Sequence, residues 1–204
     1  NVVKNLGLVF DSSLKFDLQI NAVVKASFFQ LRLLAKVKPF LSRCDLERSM
    51  PLLAQGWIIA NTDIGLSQAS LQSLQLVQNA AARLLTNTRK HDHITPVLYS
   101  LHWLPVQFRI QFKTLLFVFN TINGLAPTYI SETLKLHQPG RALRSAGQHL
   151  LEVPRSRSKQ WGDRSFAVAG PKLWNALPSE LRTTTDLPLF KTKLKTYLFD
   201  LAFN

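Results

Sequence analysis

The amino-acid sequence predicts a mainly α protein with minor β structure, in which a helical bundle is followed by a small α+β C-terminal module. Three observations predict this class. Apolar residues recur at spacings of three and four along several long stretches, as on the buried side of a helix. Runs typical of β-strands are confined to residues 1–10 and 150–153. Hydrophobic residues make up 46% of the 204 residues, which is enough for a packed core.

The N-terminal part combines one strand with one long helix. Residues 1–10 are rich in Val, Leu and Phe and end at turn residues, so we expect a strand whose pairing partner lies upstream of Asn1. From Asp17 the apolar period becomes helical, and Pro39 ends it. A second face of this helix stacks three cations along one stripe, namely Lys25, Arg32 and Lys36.

Five further helices are predicted between residues 42 and 137. The fourth of them is the most apolar of the chain and stops at Gly124, which favours a central, covered position. Their starts are marked by residues that favour helix N-termini: Ser42 with Asp45, Ser67 or Ser70, Thr95 with Pro96, Pro105, and Pro127. Pro51 interrupts the first of the five.

The C-terminal part begins with a loop-rich stretch, residues 138–160, in which a hairpin around residues 150–153 is expected. Residues 166–177 then form a hydrophobic anchor, within which Pro171 and Pro178 bracket the Leu-Trp-Asn stretch 173–175. Its Trp174 is interpreted as core and not as a platform for a nucleic-acid base. Asp186 caps a last helix. The predicted divisions are therefore residues 1–16, 17–137 and 138–204.

Charge is the composition's strongest functional signal. With 25 Lys and Arg against 12 Asp and Glu, the formal net charge is +13, which favours polyanionic partners. Six cations concentrate in the loop-rich stretch and its exit: Arg141, Arg144, Arg155, Arg157, Lys159 and Arg164. If about five of them contact duplex phosphates, affinity falls with salt on a log–log slope of about −4 to −5. The alternatives are a solvated loop and, for the stripe of the first helix, a solvated face.

No catalytic constellation is visible. The sequence contains no phosphate-binding Walker loop, no G-x-G-x-x-G run and no G-x-S-x-G elbow, and its acids are scattered. His91 and His93 have no third ligand nearby, so a solvated loop or a nucleic-acid contact is favoured over a metal site. No catalytic residue, metal or cofactor is assigned to this chain.

The sequence also bears on the cellular compartment of the protein and on whether the chain is part of a longer one. The single Cys44 is compatible with a reducing compartment, no secretory signal is visible, and the apolar run 115–119 is too short to span a bilayer. We therefore expect an intracellular protein, nuclear and/or cytoplasmic, without a membrane partner. Because the chain starts at Asn1 and runs directly into a strand-like stretch, it is expected to be a fragment of a longer protein.

Four strings, taken together, resemble a known family. They are "VKNLGLVFDSSLKFDLQINAVVKASFFQLRLLAKVKPFLS", "LQLVQNAAARLLT", "HITPVLYSLHWLPVQFRIQFKTLLFVFNTINGLAPTYI" and "VPRSRSKQWGDRSFAVAGPKLWNALPSELR". In this order they resemble the C-terminal portion of reverse transcriptases from LINE-type (non-LTR) retrotransposons, of the type found in fish and other vertebrates. The resemblance covers nearly the whole chain, although residues 51–65 depart from the family pattern.

The resemblance implies roles for the three divisions. Residues 1–16 would be the last strands of the polymerase palm, residues 17–137 a helical thumb, and residues 138–204 a basic tail. The paired catalytic aspartates of the parent RNA-directed DNA polymerase, with their two magnesium ions, would lie before Asn1. The implied partners are RNA, DNA or an RNA–DNA hybrid, bound through phosphates. The alternative is a helical module that binds protein and whose charge is incidental; a membrane-surface role is disfavoured.

Overall fold

The computed structural model describes residues 2–5, 8–11, 17–42, 45–46, 66–137, 149–156 and 162–204. It divides into two compact units. The first comprises Asn1–Gln107 together with Phe203, and the second comprises Phe108–Ala202 together with Asn204. The divisions drawn from the sequence, at residues 16 and 137, stay predictions.

The first unit begins with a hairpin. Strands β1 (Val2–Asn5) and β2 (Leu8–Asp11) pair antiparallel, with Val2 opposite Asp11 and Asn5 opposite Leu8. The expectation of a single strand in residues 1–10 is therefore wrong, while the upstream partner stays a prediction. Gly7 interrupts the apolar run and leaves two short strands on either side of it, which pair with each other.

Two long helices form the rest of the first unit's core. Helix α1 (Asp17–Val37) continues into a 3₁₀ turn (Lys38–Phe40), so Pro39 ends the α-helix as predicted. Helix α2 (Gln68–Thr86) starts at Ser67, whose hydroxyl oxygen accepts a hydrogen bond from the Ser70 amide at 3.2 Å. The two helices bury a shared cluster around Leu31, Val77 and Ala81. Half-buried aromatic and aliphatic residues of both helices pack against that cluster.

Of the two other helix starts predicted in the first unit, one is found as predicted and the other is shifted by one residue. The Ser42 hydroxyl oxygen accepts from the Asp45 amide at 3.2 Å, as a capping pattern requires, while residues 47–65, including Pro51, lie outside the described residues. Helix α3 (Thr95–Ser100) has Ile94 and not Thr95 in the N-cap position. Thr95 is already helical because Pro96 is accommodated in the first turn, where no amide donor is required.

The second unit is built on helices α4 (Val106–Ile122), α6 (Phe166–Asn175) and α8 (Leu187–Phe203), with the short helices α5 (Thr128–Ser131) and α7 (Ser179–Arg182) between them. Gly124 has φ +69°, the left-handed conformation that ends α4 as predicted. The Asp186 carboxylate accepts from the Leu189 amide at 3.0 Å and so caps α8 as predicted.

Three aromatic side chains form the centre of the second unit. Phe119 and Phe190 stack with ring centroids 4.3 Å apart, and Trp174 lies 5.8 Å from Phe190. Trp174 is 1% exposed, so its interpretation as core is confirmed. The expected short element between Pro171 and Pro178 is part of a longer one, because Pro171 lies inside α6 and not at its start. Gly170 beside it brings α6 so close to α4 that a Cβ atom there would lie 3.0 Å from Val118 Cγ2.

The described residues are mainly helical, which confirms the predicted class. The α+β character expected of residues 138–204 receives no such support. Within the described part of that region no strand forms, and an isolated antiparallel bridge joins Leu136 to Leu151.

Candidate nucleic-acid interface

The predicted stripe of α1 lies on its outer face. Lys25, Arg32 and Lys36 are all exposed. At 3.6 residues per turn the three positions fall within about 40° of one another around the helix axis. Within the described residues none of the three makes a hydrogen bond or an ion pair. Their charges are therefore directed to solvent and are available to an external anion.

The inner face of α1 is held firmly by α2. Ile20 and Leu31 are buried, and the Asp17 carboxylate accepts a hydrogen bond from the Ser70 hydroxyl at 3.0 Å. At the other end, the Lys38 ammonium group donates to the Leu84 carbonyl and the Asn87 side-chain oxygen. Lys38 thus serves as a cap for the C-terminus of α2, while the three cations of the stripe stay unused.

The six cations predicted in the basic loop are only partly described. Arg155 is exposed and Arg164 is half-buried, and neither has a polar partner in the described part of the chain. Arg141, Arg144, Arg157 and Lys159 lie outside the described residues. The convergence of these six side chains on one ligand stays a prediction.

The segment that leads to Arg155 is fixed to α6 by side-chain hydrogen bonds. The Leu151 amide donates to Asn175 Oδ1 at 2.9 Å, and Asn175 Nδ2 donates back to the Leu151 carbonyl at 2.8 Å. The residue before Asn175 adds a further contact, since Trp174 Nε1 donates to the His149 carbonyl at 2.8 Å. The prediction that residues 166–177 anchor the preceding basic loop gains this concrete basis at residues 149–151.

The opposite edge of the same segment pairs with residues 135–137. The His137 amide donates to the Leu150 carbonyl at 2.8 Å, and the Glu152 amide donates to the Lys135 carbonyl at 2.9 Å. A cavity of about 910 Å³ opens here, and its described lining includes Lys135, His137 and Glu152. Because those side chains carry both signs of charge, the cavity does not strengthen the case for a phosphate site.

Several aspartates of the described residues accept hydrogen bonds from groups of the chain itself. Asp92 accepts from the Arg89 amide and Asp186 from the Leu189 amide, both at 3.0 Å. The Asp17 and Asp45 carboxylates accept from the Ser70 and Ser42 hydroxyls, at 3.0 and 2.6 Å. A described ion pair joins Lys172 to Asp163 at 3.3 Å between exposed side chains, where such a pair contributes little. Acids used in this way leave the positive excess of the chain uncompensated at its surface.

The structure also shows exposed apolar residues that sequence reasoning missed. Phe29 is 61% exposed and Leu33 is 47% exposed, and both lie on the outer side of α1 beside the stripe. The signal that could have found Phe29 is its spacing, since it lies one turn from both Lys25 and Arg32. The apolar period of the helix includes the neighbouring Phe28, which packs on the buried cluster, so Phe29 did not stand out.

Two cations within α4 and one in α7 were also missed. Burial lowers the pKa of Arg109, and burial together with the charge of Arg109 lowers the pKa of Lys113, one turn further along the helix. Arg182 is 9% exposed, its Nη1 donates to the Asn175 carbonyl at 3.5 Å, and its buried Nε finds no hydrogen-bond partner among the residues that the structure describes. Arg109 and Lys113 could have been found from the sequence, because they lie four residues apart within an otherwise apolar helix.

The loop containing His91 and His93 is solvent-exposed, and Arg83 ties its backbone down through the Arg89 and Asp92 carbonyls. Among the residues that the structure describes, no three His, Cys, Asp or Glu side chains come together as a set of metal ligands. Within the described ranges, no helix combines the length and the apolar character that crossing a bilayer requires.

Comparison of the chain with protein-family models, with curated proteins and with solved structures finds no match in any of the three. The similarity to LINE-type reverse transcriptases therefore stays an expectation from the sequence.

Proposed function

We propose that this chain binds nucleic acid through phosphates, as the C-terminal portion of an RNA-directed DNA polymerase of the LINE type. The observation that carries the proposal is the outer face of α1. Lys25, Arg32 and Lys36 stand there exposed and without described partners, on a helix whose inner face is fixed by α2. Three unpaired cations in a row match the repeating charge of a sugar–phosphate strand.

The overall charge supports the same function. A net charge of +13 attracts polyanions over a distance of about 8 Å at physiological ionic strength, before any contact forms. In this proposal the ligand is a template–primer or target DNA: RNA, DNA or their hybrid. The catalytic aspartates and magnesium ions of the polymerase belong to other residues of the parent protein, and no step of the chemistry is assigned to this chain.

A second function, a helical protein-interaction module, is favoured by one observation. Besides the cations, the outer side of α1 and the turn after it expose several large apolar side chains: Leu18, Phe29, Leu33, Val37 and Phe40. Exposed apolar residues in a group are typical of surfaces that another protein covers. In that case the charge would be incidental to binding.

Salt-dependent binding separates the two functions. Fluorescence anisotropy of a labelled RNA–DNA hybrid, measured with the 204-residue chain at several salt concentrations, should show affinity that falls steeply with salt. The triple variant Lys25→Ala/Arg32→Ala/Lys36→Ala should reduce the magnitude of the log–log slope by about 2 to 3, because each lost phosphate contact removes about 0.9.

A matched control removes the same charge elsewhere. The variant Lys191→Ala/Lys193→Ala/Lys195→Ala deletes three exposed lysines of α8 and should change the slope by less than about 1. Equal losses in both variants would mean that net charge alone matters and would remove the stripe from the interface. If the unmodified chain does not bind the hybrid at about 50 mM salt, the interaction module stands instead.

The basic loop has its own test. Replacing Arg155, Arg157 and Arg164 with Ala should weaken binding of all sequences to a similar degree, because phosphate contacts carry no sequence information. Circular dichroism should show an unchanged helix content. Unchanged hybrid affinity in this variant would refute the assignment of the loop to the interface.

A further inference from the structure

Phe29 lies beside the cationic stripe of α1 and, along the helix axis, between Lys25 and Arg32. Its position lies four residues after Lys25 and three before Arg32, the two spacings at which side chains of a helix are neighbours. Lys36 lies on the same side, two turns further on. With 61% of its surface exposed, the Phe29 ring is presented to solvent among three positive charges.

Packing within the first unit does not account for this ring. The cluster between α1 and α2 is built from Leu31, Val77 and Ala81, and Phe28 is the aromatic residue of this pair that packs against it. Phe29 is rotated by about 100° from Phe28 around the helix, out of that contact. Its exposed face is therefore available to a partner from outside.

We propose that Phe29 is a stacking platform for an unpaired base, and that the ligand of this face is single-stranded nucleic acid. The inference rests on the proposed function and narrows it from phosphate binding in general to a strand with accessible bases. Aromatic rings flanked by cations suit such a strand because the ring covers the base while the cations bind the phosphates on either side. In a duplex the bases are paired and stacked on each other, so the ring has nothing to cover.

Charge complementarity decides between a nucleic acid and an apolar partner. The outer side of α1 carries three cations, and the one acid of the helix, Asp17, is occupied by Ser70. An apolar protein helix would bury these unpaired charges at a cost, whereas a phosphate strand would neutralise them. At 1.5 Å per residue, Lys25 and Lys36 are about 16 Å apart along the axis, the length of about five stacked nucleotides.

The test compares two probes and four variants of the full chain: Phe29→Ala, Phe29→Trp, Tyr129→Ala and the triple variant of the stripe. The probes are a fluorescein-labelled 12-nucleotide oligothymidine and an RNA–DNA hybrid of the same length, both at one fixed salt concentration. The variant Phe29→Ala should weaken binding of the oligothymidine by about 5- to 150-fold, the effect of losing one stacked base. Its affinity for the hybrid should change by less than about 2-fold, and Phe29→Trp should restore or improve oligothymidine binding.

Tyr129→Ala is the matched control. Tyr129 is 71% exposed on α5, Glu132 lies three residues on, and no Lys or Arg lies within four residues of it in the sequence, so a similar ring is lost without neighbouring cations of its own helix. This variant should bind both probes as the unmodified chain does. Thermal melting followed by circular dichroism should show that Phe29→Ala leaves the helices intact, since an exposed ring contributes little to the core.

The outcomes separate the two proposals. If Phe29→Ala leaves oligothymidine binding unchanged while the triple variant of the stripe weakens it, stacking is refuted and phosphate binding stands. If neither probe binds, both fail. If sedimentation shows that the chain self-associates and that Phe29→Ala abolishes this without affecting either probe, the face binds a second copy and the stacking proposal is overturned.

Discussion

Asn175 is expected to be the side chain on which the docking of residues 149–153 depends. Its amide group satisfies both the amide and the carbonyl of Leu151, a residue that is 3% exposed. The variant Asn175→Ala removes both hydrogen bonds at once and leaves two backbone groups of Leu151 without partners. Segments of the chain without regular secondary structure have few other ways to satisfy such groups.

The size of the effect follows from the burial of the two groups. A buried donor or acceptor that loses its partner costs about 1 to 3 kcal/mol, which gives about 2 to 6 kcal/mol for the pair. Asn175 itself is half-buried, so water can replace part of what is lost, and the lower half of this range, about 2 to 4 kcal/mol, is expected. Local opening of the segment should then be about 30- to 900-fold more frequent.

Amide hydrogen exchange measures this opening on the far edge of the segment. The reporters are the Glu152 and His137 amides, whose hydrogen bonds to the Lys135 and Leu150 carbonyls do not involve Asn175. Their protection should fall by that factor in Asn175→Ala. In the control Asn123→Ala, which removes an exposed amide that donates to the Phe119 carbonyl, both amides should keep their protection. Protection within about 3-fold of the unmodified chain in Asn175→Ala would show that the segment is held by other contacts.

Two further predictions concern α4 and its contact with α6. Gly170→Ala should destabilise the chain by about 1 to 2 kcal/mol in urea denaturation, because the stiff, buried Val118 leaves no room for the new methyl group. Val118→Ala should lower the free energy of unfolding less in the Gly170→Ala background than in the unmodified chain, because it removes the clashing methyl group. If the effects of the two substitutions simply add, the clash is refuted. For Lys113, the lowered pKa of the folded state means that the unfolded chain binds more protons, so its contribution to stability rises with pH. The stability of the unmodified chain relative to Lys113→Met should therefore rise as the pH approaches 10.5, and a constant difference would refute this.

Local signals predicted the ends of helices more reliably than the contacts between distant residues. Ser67, Gly124 and Asp186 mark helix ends by their own side-chain or backbone preferences, and the structure places all three as expected. The pairing of Asn175 with Leu151 spans 24 residues and has no local signature. Pro171 inside α6 likewise depends on a buried site that only the folded unit provides.

Those residues of the candidate site that recur with the period of a helix could be predicted from the sequence. The stripe of Lys25, Arg32 and Lys36 could be read from spacing alone, and α1 places all three on its exposed side. Phe29 could not be assigned in the same way, because adjacent aromatic residues both suit an apolar helix. The position of α2 decides which of the two, Phe28 or Phe29, is buried.

The exposed cations and the exposed Phe29 ring of α1 would contribute to binding in different ways. Repulsion between cations about 10 Å apart in water amounts to about 0.4 kcal/mol and is weakened further by salt, so neutralising them stabilises a complex only modestly per pair. Stacking a base on an exposed Phe ring contributes about 1 to 3 kcal/mol and depends little on salt. Affinity that varies with salt should therefore come from the stripe, whereas preference for unpaired strands should come from Phe29. Because one term is electrostatic and the other is not, substitution of either leaves the other measurable, and the two roles can be separated on a single helix.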